Sequence, residues 1–275
     1  MNAAVRLGLI SITAVAGLYG LVCFGMWWVQ DALLFHPPGQ TRSELDAVAA
    51  EYGITPFTIE TEDAVTLYGW HHPGDGTRAL LFFHGNGGRI ETVQWFGSEL
   101  PGVDVFGISY RGFPGSGGQP SEAGMVLDAR ALWRHVTEDL GFAPDQVVVQ
   151  GLSMGGGVTH HLLMEAEPAG AVFDSTFLSI DQLASEKFGF LPTGWLLNHP
   201  FHSAERAPKL RVPTLVLHGT SDRLIPVAHG RGLAALQPNA EYVEIPGQDH
   251  NDWSLLDPTA YAAWRGFLDR VWNRP

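Results

Sequence analysis

A serine stands among glycines in "GLSMGGG" (151–157), directly after the apolar run 147–150. Gly151-Leu152-Ser153-Met154-Gly155 fits G-x-S-x-G, and no other stretch of the chain does. In a tight strand-to-helix turn this spacing lifts a serine Oγ clear of the backbone, with glycines where a Cβ would collide across the turn. The plainer alternative is a glycine-rich turn whose serine caps a helix. A raised hydroxyl is a weak nucleophile until a base takes its proton. Of the 12 histidines, His250 in "PGQDHND" follows an apolar segment on a loop. Asp222 in "HGTSDRLIP" stands in the same kind of position and can accept the imidazole Nδ1–H. Asp174, at the end of an earlier apolar run, and Asp249, beside the histidine, compete for the acid's role, with Asp222 favoured. Ser153, Asp222 and His250 together spell nucleophilic acyl transfer.

Attack on an acyl carbon creates an oxyanion, which needs preorganised N–H donors. The Met154 N–H, next after the serine, is one natural donor. Asn86 in "HGNGG" (84–88) offers the other, with glycines that let its backbone approach closely. His84, just before it, reads as structural, and histidines 160 and 161 fall on the helix after Ser153, pointing away from the edge or along its face. No G-x-G-x-x-G closes a strand, and neither lysine, Lys187 nor Lys209, sits in a phosphate-binding loop. No histidine pair has metal-ligand spacing, so neither a metal nor a cofactor is expected.

These residues need a scaffold that gathers their loops at one edge. Apolar or β-rich runs at 57–60, 65–71, 79–85, 103–110, 146–151, 171–175, 214–219 and 241–245 read as about eight strands, the first two as a hairpin. Helical stretches are expected at 41–52, 91–100, 121–140, 154–166, 229–236 and 257–272. This alternation predicts an α/β fold: a mostly parallel twisted sheet flanked by helices, with ligands beyond the carboxyl ends of the strands. Between 175 and 214 a short cap is expected, about 176–212, containing the aromatic stretch "FGFLPTGWLLNHPF" (188–201). Those aromatics either pack on the domain or face a substrate.

Residues 7–29 carry no charged side chain and end in Trp27-Trp28, as an interfacial membrane span does. An uncleaved single-pass anchor is favoured over a signal peptide cut after Ala14-Val15-Ala16 and over a buried core helix. Arg6 before the span and Asp31 after it put the main domain outside the cytoplasm, in the periplasm. The chain thus divides into an anchor (1–30), a linker with a short helix (31–56) and a catalytic domain (57–275). A net charge of −13 argues against nucleic acid as a partner. The single cysteine, Cys23, excludes an intrachain disulfide, and Val22 before it fits a lipid-attachment site poorly.

The stretches "FHGNGG" (83–88), "SYRGFPGSGGQPSE" (109–122), "GLSMGG" (151–156), "FDSTF" (173–177), "HGTSDRLIP" (218–226) and "DHND" (249–252) resemble the α/β-hydrolase superfamily over residues 55–272. With "LLFHPP" (33–38) after the apolar N-terminus, the chain is similar to the membrane-anchored Bem46-like group. The resemblance implies Ser153, Asp222 and His250 as the triad and Asn86 and Met154 at the oxyanion site. Tyr110 and Arg111 match a motif read as structural. One departure is Gln248-Asp249, where the group often has a small residue; a carboxylate there is expected to make the base more basic or to repel anionic substrates. The expected function is a serine hydrolase acting on a lipid-like or small acyl substrate: a carboxylic ester, with thioester and amide open. A non-catalytic scaffold and a serine peptidase are the rivals.

Overall fold

The computed structural model describes residues 3–274. A long helix, α1 (Ala3–Leu34), leads to α2 (Arg42–Glu51), and then the sheet begins with β1 (Thr55–Glu60), β2 (Thr66–His72) and β3 (Ala79–Phe83). The chain continues through α3 (Thr92–Glu99), β4 (Asp104–Ile108), α4 (Glu122–Arg134), β5 (Val147–Leu152), α5 (Met154–Leu162) and β6 (Gly170–Asp174). Three short helices follow, α6 (Ile180–Lys187), α7 (Thr193–Leu196) and α8 (Ser203–Arg206). Then come β7 (Thr214–Gly219), α9 (Ala228–Leu236), β8 (Ala240–Ile245) and α10 (Pro258–Trp272).

The eight strands lie in the order β1-β2-β4-β3-β5-β6-β7-β8. The β1–β2 and β2–β4 pairs are antiparallel and the rest are parallel. Alternation along each inner strand sends neighbours to opposite faces. Leu81, Phe83, Val147 and Val149 join one core, with Met125 and Leu132 of α4 and Val158 of α5. Leu80, Phe82 and Val148 join the other, with Phe96 of α3 and Trp264 and Phe267 of α10. A sheet covered on both faces explains why these strands read as unbroken apolar runs.

Strand order reverses around β3, which has β4 on one side and β5 on the other. The loops after β3 and β5 therefore open toward one crevice, the usual ligand position in such sheets. Two helices differ from the sequence reading. The stretch expected to 140 is α-helical only to Arg134 and then runs through a π turn, His135–Asp139. The helix after Ser153 ends at Leu162. Residues 176–212, where a cap is expected, hold the helices α6 to α8, too short for their periodicity to be read.

The helix α1 is long and apolar enough to cross a membrane, and almost none of it is buried. It continues past the apolar stretch to Leu34, and its last turns pack beside α7.

Candidate functional site

The nucleophile candidate comes from a backbone that only close packing can hold. Ser153 has φ 52° and ψ −116°, a conformation costing about 1–3 kcal/mol for a non-glycine residue. Its side chain caps nothing, which removes the plain helix-cap alternative. The turn is pinned by Ser153 N–H donating to Asp174 O (2.8 Å) and Thr176 Oγ1 donating to Ser153 O (2.7 Å). A Cβ on Gly155 would lie 2.0 Å from Phe83 O, and one on Gly151 2.5 Å from Gly155 O, so side chains at either position would force the turn apart.

The structure brings Ser153, Asp222 and His250 together. His250 Nε2 lies 3.1 Å from Ser153 Oγ, and His250 Nδ1 lies 2.7 Å from Asp222 Oδ2. The other Asp222 oxygen accepts the N–H groups of Leu224 (2.9 Å) and Ile225 (2.7 Å). Burial would raise the Asp222 carboxyl, but hydrogen bonds from His218, His250 and the Ile225 N–H outweigh it. The group is held well below the usual carboxylate range. His218, fully buried, donates Nε2–H to Ile225 O (2.8 Å) and lies 3.4 Å from Asp222 Oδ2. Sequence reasoning passed over it, because a histidine at the end of a buried strand shows no sign of which loop it braces.

The two competing aspartates do other things. Asp174 Oδ1 accepts from Ser254 Oγ (2.6 Å) and Ser175 Oγ (3.0 Å), and burial pushes its carboxyl up. Asp249 accepts from Arg223 N–H (2.9 Å), Arg223 Nε–H (2.7 Å) and His250 N–H (2.9 Å), and Arg223 holds it down at about 2. Its charge is thus taken up by a guanidinium, and it ties two loops together instead of acting as a free carboxylate beside the imidazole.

Met154 and Asn86 both border the space over Ser153. Among the described residues neither backbone N–H donates a hydrogen bond. The Asn86 side chain has an unexpected attachment. Its Nδ2 donates to Leu34 O and lies 2.9 Å from His36 Nδ1, while its Oδ1 accepts from His36 N–H (2.8 Å). The loop after β3 is therefore fastened to the end of α1. Neither His36 nor this contact was predicted, since "LLFHPP" carries no sign of a partner 50 residues on. His84 donates Nδ1–H to Gly85 O (2.8 Å) and packs on Tyr110 and Phe113; burial pushes its imidazole down to about 4. Arg111 is buried and bridges Asp128 and Asp63.

Two cavities flank Ser153. One, of about 420 Å³, is almost wholly apolar and lies between the cap and α1, with Met154, Leu183 and Leu191 among its walls. The other, of about 310 Å³, is mixed: Gln150, Asp174, His250 and Asp252 line it beside Phe82, Phe96 and Trp253, and among the described residues no lysine or arginine does.

A family described as serine aminopeptidase S33 matches residues 75–204. An uncharacterized protein of Mycobacterium tuberculosis, Rv2307c, is 32% identical over 246 residues, covering 86% of each chain. The α/β-hydrolase domain-containing protein WAV2 of Arabidopsis thaliana is 28% identical, over 90% of this chain and 88% of its own. Among solved structures, the Pyrococcus furiosus esterase Pf2001 superposes with a TM-score of 0.65 at 21% identity, over 86% of this chain and 98% of that one. With this sheet order, this serine turn and these relatives, the chain belongs to the α/β-hydrolases, in their Bem46-like group.

Proposed function

We propose that this hydrolase cleaves carboxylic esters through an acyl-enzyme, with Ser153 as nucleophile, His250 as base and then acid, and Asp222 as the group that orients the ring. One observation carries the reading: the unbroken hydrogen-bonded chain from Ser153 Oγ through both nitrogens of His250 to Asp222. Asp222, held ionised, accepts Nδ1–H and leaves Nε2 free to take the serine proton. As Oγ bonds to the acyl carbon, the imidazolium that forms faces a carboxylate, which lowers the cost of the charge. The oxyanion lies toward the N–H groups of Met154 and Asn86 and the start of α5. His250 then protonates the leaving oxygen, and a water attacks the acyl-enzyme by the reverse route.

The apolar cavity suits an acyl group and the mixed one, with its Gln150, His250 and Asp252, a leaving alcohol. Thioesters and amides pass through the same intermediate and differ in the leaving atom, so turnover of matched oxygen, sulfur and nitrogen substrates ranks them. A peptidase acting at an amino terminus needs an ionised carboxylate to hold the ammonium. Of the two carboxylates in the second cavity among the described residues, Asp174 is raised by burial and engaged by two hydroxyls, and Asp252 accepts the Asp249 N–H (2.9 Å), which disfavours that reading. The uncharged stretch 7–29 of α1, with Arg6 before it and Asp31 after it, supports a single-pass anchor with the hydrolase domain outside the cytoplasm.

A fluorophosphonate probe tests the nucleophile. The wild-type protein is expected to be labelled on Ser153 and the Ser153→Ala variant to escape labelling and lose ester turnover. Equal labelling of the variant would remove Ser153 from this role.

A further inference from the structure

The apolar helix is more than a tether. Met26, Gln30, Leu33 and Leu34 all line the cavity beside Ser153. Their spacing, i, i+4, i+7 and i+8, puts them on one face of α1. That face is fastened to the cap. Gln30 Nε2 donates to Leu196 O (3.0 Å), Gln30 Oε1 accepts from Asn198 N–H (2.7 Å), and Tyr19 O–H donates to Phe190 O (2.8 Å). Asp31 pairs with His199 at 3.2 Å. The end of the helix also clasps Asn86, so the same element borders the cavity and braces the loop over the serine.

Length sets the height of this wall relative to a bilayer. The apolar helix Ala4–Leu34 has 31 residues, about 46 Å at 1.5 Å per residue. A hydrocarbon core is about 30 Å thick, so roughly ten residues extend beyond it. With the uncharged stretch 7–29 taken as the span, Met26 to Val29 lie at its boundary and Gln30 to Leu34 beyond it, which would set the cavity at the membrane surface. The cap beside it presents Trp195, 95% exposed, and Phe190, 65% exposed, as side chains that settle into a bilayer surface do.

We infer that α1 is one wall of the acyl site, and that the substrate is a long-chain acyl ester resident in the bilayer whose chain slides along the Met26–Gln30–Leu33 face into the cavity beside Ser153. This rests on the serine-hydrolase reading above and names its substrate class. The cavity is apolar, adjoins the serine and stands where the bilayer ends, so a chain leaving the lipid stays in apolar surroundings throughout. Because the chain exchanges lipid for an apolar cavity, selectivity comes from the room the cavity gives the chain and not from removing methylenes from water.

The test uses the full-length protein in phosphatidylcholine vesicles, with p-nitrophenyl acetate and p-nitrophenyl palmitate as substrates. Leu33→Trp narrows the cavity from the helix side and Leu183→Trp from the cap side. Leu21→Trp enlarges the opposite face of α1. The palmitate-to-acetate ratio of kcat/KM is expected to fall about tenfold or more in each narrowed variant, since crowding a filled apolar site costs roughly 5- to 150-fold. It is expected to hold in Leu21→Trp. An unchanged ratio in both narrowed variants, with Ser153 still labelled by fluorophosphonate, overturns the wall assignment and leaves the hydrolase reading standing. Absence of wild-type turnover of either ester, with no labelling, overturns both.

Discussion

At the scale of single residues, the site depends on how Asp222 is held. Two backbone N–H groups fix one of its oxygens, and His250 takes the other. An asparagine would keep most of this geometry but would favour the imidazole tautomer with Nε2 protonated, unable to take a proton from Ser153. Asp222→Asn is expected to lower kcat by about 10³- to 10⁴-fold with an unchanged circular-dichroism spectrum. A loss below tenfold would return the acid's role to Asp174 or Asp249. Sequence position favoured Asp222 without deciding the matter, since all three stand at or just after the carboxyl ends of strands. Their partners separate them: hydroxyls for Asp174, a guanidinium for Asp249, the imidazole for Asp222.

At the scale of elements, the loop after β3 and the end of α1 act as one unit. Asn86 stands in a glycine-rich turn bordering Ser153, and the turn is held to α1 by the Asn86 amide on Leu34 and His36. Asn86→Ala keeps the N–H and removes the clasp. Its expected signature is a fall in kcat of about 10- to 100-fold, because small misplacements of a preorganised donor are costly. KM for a short ester is expected to change little. A rise in KM with kcat intact would mean that the side chain serves substrate binding instead. Gln30 plays the matching part against the cap. A glutamine inside an apolar helix has no meaning in sequence, because its partners at 196 and 198 are set by the path of the cap.

At the scale of the whole molecule, buried histidines set the response to acid. Burial pushes His84 down to about 4 and His160 to about 3, from an ordinary value of 6.5. Between those values and 6.5 the rings are neutral in the folded protein and protonated in the unfolded chain. The unfolded state then binds more protons, so stability rises with pH across this window and is lost on acidification. Each ring contributes a loss on the order of 3 kcal/mol by pH 4. Asp222 and Asp249, whose carboxyls are lowered, act in the same direction at lower pH. Asp174 and Asp128, whose carboxyls burial raises, Asp128 to about 6, oppose them and shallow the fall. The melting temperature is expected to fall steadily from pH 6.5 to 4.5, and less steeply in His160→Gln. A melting temperature flat across that range would show that these rings are protonated in the fold.

What the sequence determined by itself was local or periodic. The glycines of the serine turn, the apolar runs of strands buried on both faces and the long uncharged helix each follow from residues close together in the chain. The turn chemistry and the two-sided burial are written into neighbouring side chains, so the sheet and Ser153 were legible. Tertiary structure decided what depends on contacts distant in sequence: which aspartate faces His250, why His218 and His36 matter, and that α1 borders the cavity at Ser153. Those contacts arise from the route of the cap and the packing of α1 against it. Their spacing along the chain has no period, so no pattern of residues announces them.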